Sequence, residues 1–284
     1  MPKTILVTGA SSGIGAAIAG LFHRQGFMVF GTSRSGDSEL QHEFPMLKLD
    51  VNSDASAEVC VREVLRRAGR LDVLVNNAGF ALNGAAEETS IAEAKEQFET
   101  NFFGVARMVK AVLPQMREAR SGRIITIGSL AGLMAIPYGG FYAATKHALE
   151  GYMEALWFEL KPFGINVSLI EPGFVRTGIN QATRFAANPI PAYDGPRDRA
   201  NAVVDRSVTK GIAPEKVAKV VRRAVQSRNP QLRYRVGPDA RWLPRLKAAT
   251  SWDFFALGVR KTFELDATSP LPRPAELNSR LPQR

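Results

Sequence analysis

The chain has 284 residues, 45% apolar and 23% charged, a balance that excludes a disordered chain or a collagen-like repeat and leaves length for a large buried core. A single cysteine, Cys60, excludes a disulfide framework and a multi-cysteine zinc site, and His23, His42 and His147 stand at no metal-ligand spacing, so no metal is expected. The net charge of +10 is uneven: residues 197–284 carry 19 basic and 8 acidic side chains, so the main body is neutral and the end is basic.

Met1-Pro2-Lys3 passes directly into an apolar run with no leader-like h-region, so a secretory signal is not expected. Residues 3–8 read as a buried strand ended by Gly9. Ile14, Ala17, Ile18, Leu21 and Phe22 then recur at helical spacing, with Gly26 as a stop. Strands follow at 27–32 and 45–50, a helix at 54–68 closed by Gly69, and a fourth strand at 71–75. Residues 90–118 read as one long helix with Pro114 near its end, 123–128 as a fifth strand and 141–161 as a second long helix. A sixth strand is expected at 165–170, a helix at 214–228 with Pro214 inside its start, and a seventh strand at 232–236.

No residue between Arg123 and Lys146 is charged, a length that could span a bilayer, but Gly128, Gly132, Gly139, Gly140 and Pro137 divide it into a strand, a loop and a helix start. Residues 176–213 lack strong periodicity and read as a long functional loop with short helices. Residues 239–263 interleave aromatic and basic side chains and read as two short helices interrupted by Pro244 and Gly258. Pro270, Pro272, Pro274 and Pro282 predict a loose tail.

Strands alternating with helices give an α/β fold: a Rossmann-type doubly wound parallel sheet of about seven strands, helices on both faces, and a short helical C-terminal extension. The expected division is a dinucleotide-binding and catalytic domain at 1–237 and a helical, basic extension at 238–284.

The first strand–helix junction is Thr8-Gly9-Ala10-Ser11-Ser12-Gly13-Ile14-Gly15. A helix N-terminus presents free N–H groups and the positive end of its dipole, and glycines let a pyrophosphate reach the backbone. The spacing is G-x-x-x-G-x-G, not the G-x-G-x-x-G of the usual dinucleotide fingerprint. After strand two, an acid would bond the adenosine ribose and repel a 2′-phosphate. Here Thr32-Ser33-Arg34 stands instead, a guanidinium able to grip phosphate with hydroxyl donors beside it, which argues for NADP(H).

The motifs Thr8-Gly9-x-x-x-Gly13-x-Gly15, Asp50-Val51, Asn76-Asn77-Ala78-Gly79, Asn101, Ser129, Tyr142-x-x-x-Lys146 and Pro172-Gly173 resemble, in order and spacing, the short-chain dehydrogenase/reductase family over about residues 3–237. The wording around Arg34 looks most like the 17β-hydroxysteroid-dehydrogenase-like and retinol-dehydrogenase-like branch. The resemblance implies NAD(P)(H)-dependent oxidation of alcohols or reduction of carbonyls. It implies cofactor contacts from Gly9, Ser11, Ser12, Gly13, Ile14, Gly15, Ser33 and Arg34. Asp50 and Val51 would meet adenine, and Asn77, Ala78 and Gly79 the adenosine side. Pro172, Gly173, Val175 and Thr177 would meet the nicotinamide, with Gly173 leaving room for the ring, and Lys146 the adjoining ribose. Asn101 would hold a water that passes protons to Lys146.

Tyr142 and Lys146 are one helical turn apart, so they share a face, and a nearby ammonium is expected to lower the phenol's pKa from about 10. Tyr142 is then the acid/base toward the substrate oxygen, with Lys146 as helper, and Ser129 at the end of strand five polarises that oxygen. Phe80, Leu130, Leu133, Phe174 and the loop at 178–212 are expected to line an apolar substrate pocket. Alternative readings are a non-catalytic NADP(H)-binding regulator, against which the intact Asn101, Ser129, Tyr142 and Lys146 speak, and a membrane or nucleic-acid binder using the basic end. The expected partners are a small carbonyl or alcohol substrate and a second copy of the chain. The resemblance implies a homodimer or homotetramer paired through the two long helices; Phe102, Val105, Val109, Val112, Leu149, Met153, Leu156 and Leu160 are the apolar material for it, some of which must instead face the sheet. No nucleic acid is expected and the location is cytoplasmic. The extension is read as a cap over the pocket, with peripheral membrane contact as the weaker alternative.

Overall fold

The computed structural model describes residues 2–36, 42–177 and 183–266; the Pro-rich tail and residues 178–182, near the start of the predicted loop, lie outside them. The run Thr4–Val7 forms β1 with all four residues buried, as an apolar run covered on both faces must be. Helix α1 (Gly13–His23) returns the chain to β2 (Met28–Ser33) and β3 (Met46–Lys48). Helix α2 (Asp54–Ala68) starts where Ser53 Oγ accepts from Ser56 N and stops at Gly69, whose φ of 73° suits a residue without a Cβ. β4 (Val73–Asn76) and the short β5 (Leu82–Asn83) lead to α3 (Ile91–Phe98), begun by a reciprocal cap between Ser90 and Glu93.

The helix predicted across 90–118 is not uniform. A π-turn at Glu99–Phe103 separates α3 from α4 (Gly104–Glu118), and Gly104 N–H reaches back five residues to the Glu99 carbonyl. β6 (Gly122–Ile127), α5 (Gly140–Leu160) and β7 (Ile165–Pro172) follow, so the uncharged stretch is a strand, a loop and a helix start. Among the described residues no helix is long and apolar enough to cross a membrane. β8 (Arg184–Phe185) pairs with β5 in a small separate sheet. Next comes α6 (Asp194–Thr209), a sixteen-residue helix where a loop with only short helices was expected. Its face is thinly apolar, with only Arg199, Ala200, Val203 and Val208 buried, so hydropathy alone does not reveal it. The chain ends through α7 (Pro214–Gln226), β9 (Arg233–Val236), α8 (Pro238–Ala249) and α9 (Trp252–Thr262). The break between the last two falls at Thr250-Ser251, where Ser251 caps α9. Pro244 and Gly258, the expected interrupters, both lie inside helices.

The main sheet has seven parallel strands in the order β3-β2-β1-β4-β6-β7-β9, and the order in which strands are added reverses between β1 and β4. This is the predicted doubly wound, Rossmann-type sheet. One face is covered by α2, α4 and α5, the other by α1 and α7. Of the residues expected to supply an interface between copies, Val105, Val109, Val112, Leu149, Met153, Leu156 and Leu160 belong to the first of these cores, facing the sheet; only Phe102 lies at its margin. The outward side chains of this region are Phe103 and Phe158. A few cations of the basic end are spent on acids: Arg197 pairs with Glu88, and Arg233 with Glu150, Glu154 and Glu171.

Candidate active site

Two connected cavities lie beyond the carboxyl ends of the strands, where the reversal of strand order opens a doubly wound sheet. The larger, about 630 Å³, is lined by Gly9, Ser11, Ser12, Gly13, Ile14, Ser33, Arg34, Asp50, Val51, Asn77, Ala78, Gly79 and Thr177. The smaller, about 190 Å³, is lined by Ser129, Tyr142, Lys146, Pro172, Gly173 and Val175, with Phe80, Leu130, Ile136, Phe174, Val204 and Val208 as apolar wall. Ile14, Asn77, Gly79, Phe80 and Thr177 belong to both, so one opens into the other.

The larger cavity is built for an anion at one end. Gly9 and Gly13 hold φ of 63° and 57°, which turns the chain tightly after β1. Ser12, at the N-cap of α1, makes no side-chain cap, and no acid stands in the first turn, so the free N–H groups there face the cleft unoffset. Gly15 does not line the cleft. It lies beneath, where a Cβ would meet Asn77 Nδ2 at 2.6 Å and, closer still, the Gly9 carbonyl oxygen. Asn77 Nδ2 donates to the carbonyls of Thr8 and Gly9 at 3.0 and 2.9 Å, tying the β1 and β4 loops together. Thr32 is buried and its Oγ1 accepts from Gly9 N, so it braces the glycine turn, and Ser33 and Arg34 are left to face the cleft. These features fit a dinucleotide with its pyrophosphate on α1.

In the smaller cavity, Tyr142 is hydrogen-bonded to Ser129, whose Oγ also accepts from Ala131 N at 3.1 Å. Lys146 Nζ donates to the Ile127 carbonyl at 2.9 Å and lies 5.7 Å from the Tyr142 ring centroid. Burial pulls Lys146 down to about 8, against the opposing charge of Glu150. Burial also pushes the Tyr142 phenol above its ordinary value, and the Ser129 hydrogen bond only partly offsets this. The expected lowering by Lys146 is outweighed by burial of the phenol, and Lys146 Nζ is turned to the Ile127 carbonyl.

Asn101 stands behind the wall, in the π-turn. Its Oδ1 accepts from Phe80 N at 3.0 Å, and its Nδ2 donates to Phe80 O at 2.9 Å and to Thr145 Oγ1 at 3.3 Å. Gly79 is needed at this point, since a Cβ there would meet Asn101 Oδ1 at 2.9 Å. Room at Gly173 is taken from behind: a Cβ would run into the Asp239 carboxylate, which accepts from Phe174 N at 2.7 Å. Asp239 is thus a positioning residue that the sequence reading missed, as are the wall residues Ile136, Val204 and Val208. Leu133, expected in the wall, is outside it, and its carbonyl accepts from Lys247 Nζ at 3.1 Å. The extension packs beside this region, with Ala240, Leu243, Phe255 and Val259 on Leu130 and Met134, and none of its described residues lines the cavity.

Behind the site sits a charged cluster. Arg233 Nε donates to Glu150 Oε2 at 2.9 Å and Arg235 Nε to Glu171 Oε2 at 3.3 Å. Burial and the neighbouring Glu150 push fully enclosed Glu171 up to about 7, against the pull of Arg235 and Arg233. The segment after β8 is latched by acids preceding and within α3: Ala187 N donates to Glu93, Ile190 N to Glu88, and the Tyr193 hydroxyl to Glu87, at 2.8–2.9 Å.

A glycine turn fit for phosphate, in a cleft joined to a cavity lined by a serine, a tyrosine and a lysine, is the pattern of the nicotinamide-dependent oxidoreductases. The family model for short chain dehydrogenases matches residues 3–187, and the chain belongs to that family. It is 41% identical to a 3-ketodihydrosphingosine reductase of Bacteroides thetaiotaomicron, over 86% of this chain and 94% of that protein. It is 36% identical to retinol dehydrogenase 8 of Bos taurus, over 87% and 85%. A short-chain dehydrogenase structure from Streptomyces avermitilis superposes with a TM-score of 0.76 at 35% identity, covering 98% of this chain and 95% of that one. Similar structures at 26% identity carry NADP in ElxO (TM-score 0.70, 84% and 99% covered) and NAD in a Burkholderia phymatum enzyme (0.73, 95% and 98%).

Proposed function

We propose that the protein is an NADP(H)-dependent alcohol dehydrogenase or carbonyl reductase acting on an apolar or amphipathic small molecule. The observation that carries this reading is the junction at Gly79 and Phe80, where the cavity holding Ser129, Tyr142 and Lys146 meets the dinucleotide-sized cleft. When bound, the nicotinamide supplies or takes the hydride. In reduction, Tyr142 donates its O–H proton to the carbonyl oxygen, and a phenol kept neutral by burial is suited to that role. Ser129 hydrogen-bonds the same oxygen and fixes its approach. Lys146 holds the nicotinamide end, and Asn101 keeps Phe80 and α5 in register with it.

The N–H groups at Ser11, Ser12, Gly13 and Ile14 take the pyrophosphate, and Asp50, Val51, Asn77 and Ala78 take the adenosine. Pro172, Gly173, Val175 and Thr177 take the nicotinamide. Arg34 and Ser33 take a 2′-phosphate, which favours NADP(H), although relatives with either cofactor exist. An apolar wall and two relatives named for a keto-sphingoid and a retinol support the substrate class. The reading includes a cytoplasmic homodimer or homotetramer, with exposed Phe103 and Phe158 as contact material. The test is loss of nicotinamide absorbance across a panel of long-chain and cyclic ketones with NADPH and with NADH. NADPH-dependent turnover of at least one apolar ketone is expected. Tight NADPH binding with no turnover of any ketone or alcohol would leave the regulatory reading standing instead.

A further inference from the structure

Helices α8 and α9 have two faces with different fates. The inner face is committed to the body, through Leu243, Phe255 and Val259 on Leu130 and Met134. The outer face is in water: Trp242, Trp252, Phe254 and Leu257 are 62–69% exposed. Five of the eleven exposed large apolar side chains among the described residues fall between Trp242 and Leu257. Scattered exposed apolar groups are ordinary, but a concentration on two adjoining helices marks a contact surface. The placement is periodic. Trp242 and Leu246 are one turn apart, as are Phe254 and Leu257, while buried Phe255 and half-buried Val259 hold the opposite side.

The charge on this face has one sign. Arg241, Arg245 and Lys261 are exposed, the Arg245 guanidinium lies 5.6 Å from the Trp242 ring centroid, and Arg260, also exposed, is paired with Asp266. Of the two acids in these helices, Asp239 is turned inward onto Phe174 N, and Asp253 alone is exposed. A two-fold contact between copies would set these cations against their own images with little to offset them. A layer of lipid phosphates meets them with the opposite charge, and indole rings suit the boundary between headgroup and acyl chain.

We propose that the outer face of α8 and α9 docks the protein on an anionic membrane surface, aromatic side chains entering the headgroup boundary and basic ones meeting lipid phosphate. The test is flotation of the full-length protein with phosphatidylcholine vesicles, either neutral or with about a third phosphatidylglycerol, at low and high salt. Flotation with the anionic vesicles alone, weakened by salt, is expected. Replacing Trp242, Trp252 and Phe254 together by Ser should lower the vesicle-bound fraction at least about tenfold. The combined Arg241→Gln, Arg245→Gln and Lys261→Gln variant, which keeps the apolar groups, should lose the preference for anionic lipid. Circular dichroism of both variants should match the wild type. Wild-type protein that stays in solution with anionic vesicles at low salt overturns the proposal, as does unchanged flotation of the folded aromatic variant. A dimer that the aromatic substitutions dissociate, with no flotation of either protein, would assign the face to a second copy.

Discussion

Gly15→Ala adds one carbon where the structure has no place for it. The new Cβ would lie 2.6 Å from Asn77 Nδ2 and 2.9 Å from the Gly9 carbonyl carbon, whereas comfortable contacts begin near about 3.5 Å. The turn carrying Gly9 must therefore retreat from α1 by about 1 Å, and it takes with it the 2.9 Å bond from Asn77 to the Gly9 carbonyl. Forced overpacking costs about 1–3 kcal/mol and the weakened hydrogen bond about 1 kcal/mol. Alanine in place of glycine within a helix returns about 1 kcal/mol. The net expectation is a loss of about 1–3 kcal/mol, a fall in melting temperature of roughly 3–10 °C. The displaced turn is the one proposed to hold pyrophosphate, and a misplacement of this size is expected to cost about a hundredfold in kcat/KM. Thermal melts and NADPH titration of Gly15→Ala read both effects. Gly258→Ala is the control, since nothing lies within 4 Å of its added carbon. It should match or slightly exceed wild-type stability. A Gly15→Ala protein with wild-type melting and NADPH affinity would refute the packing argument.

Tyr142→Phe should keep the fold and NADPH affinity but lower turnover by about 10²–10⁴-fold, because only the proton donor is removed; activity above about a tenth of wild type, measured where chemistry limits the rate, would remove Tyr142 from the acid/base role. Arg34→Ala should weaken NADPH by roughly tenfold or more and leave NADH nearly unchanged, by loss of a charge-assisted contact to the 2′-phosphate; equal losses for both cofactors would dissociate Arg34 from that phosphate. Glu171, raised to about 7 in the folded protein, is bound to its proton more tightly there than in the unfolded chain. Its contribution is whole below the ordinary carboxylate range and is lost as pH rises through about 7, up to about 3 kcal/mol. Glu171→Gln should therefore gain stability relative to wild type between about pH 5 and pH 8, read as urea midpoints, and parallel pH profiles for the two proteins would contradict the assignment.

The seven strands of the main sheet were legible because a strand buried on both faces needs an uninterrupted apolar run, and runs such as Thr4–Val7 end at glycine or at a cap. Tyr142 and Lys146 were legible for a related reason, since one helical turn fixes their common side whatever the rest of the fold does. Helix α6 was hidden because it rests on the body through few apolar residues and opens on Asp194-Gly195-Pro196, residue types that favour turns. Its Val204 and Val208 enter the cavity wall only because β8 and the acids around α3 fix the approach of that segment. Pro244 misled for a local reason: tertiary packing of Leu243 and Ala240 outweighs the lost backbone bond, and Ser251 supplies the real boundary.

The π-turn at Glu99–Phe103 makes the length of this helix a fixed quantity. Buried Gln97, Asn101 and Val105 follow one another at intervals of four, wider than the 3.6 residues of an ordinary turn. The extra residue lets a single rod satisfy two phases: α3 aligned with the loop after β4, and α4 aligned with the sheet. Deleting one residue here would leave an ordinary helix of good propensity, yet everything beyond it would rotate by about 100°. Either Asn101 would swing off Phe80, or Met108, Val109 and Val112 would leave the core. Surface helices commonly absorb such deletions at their ends. In this chain an indel in the middle of a helix, in a segment with no proposed contact to substrate or cofactor, would uncouple the cavity wall from the sheet that supports it.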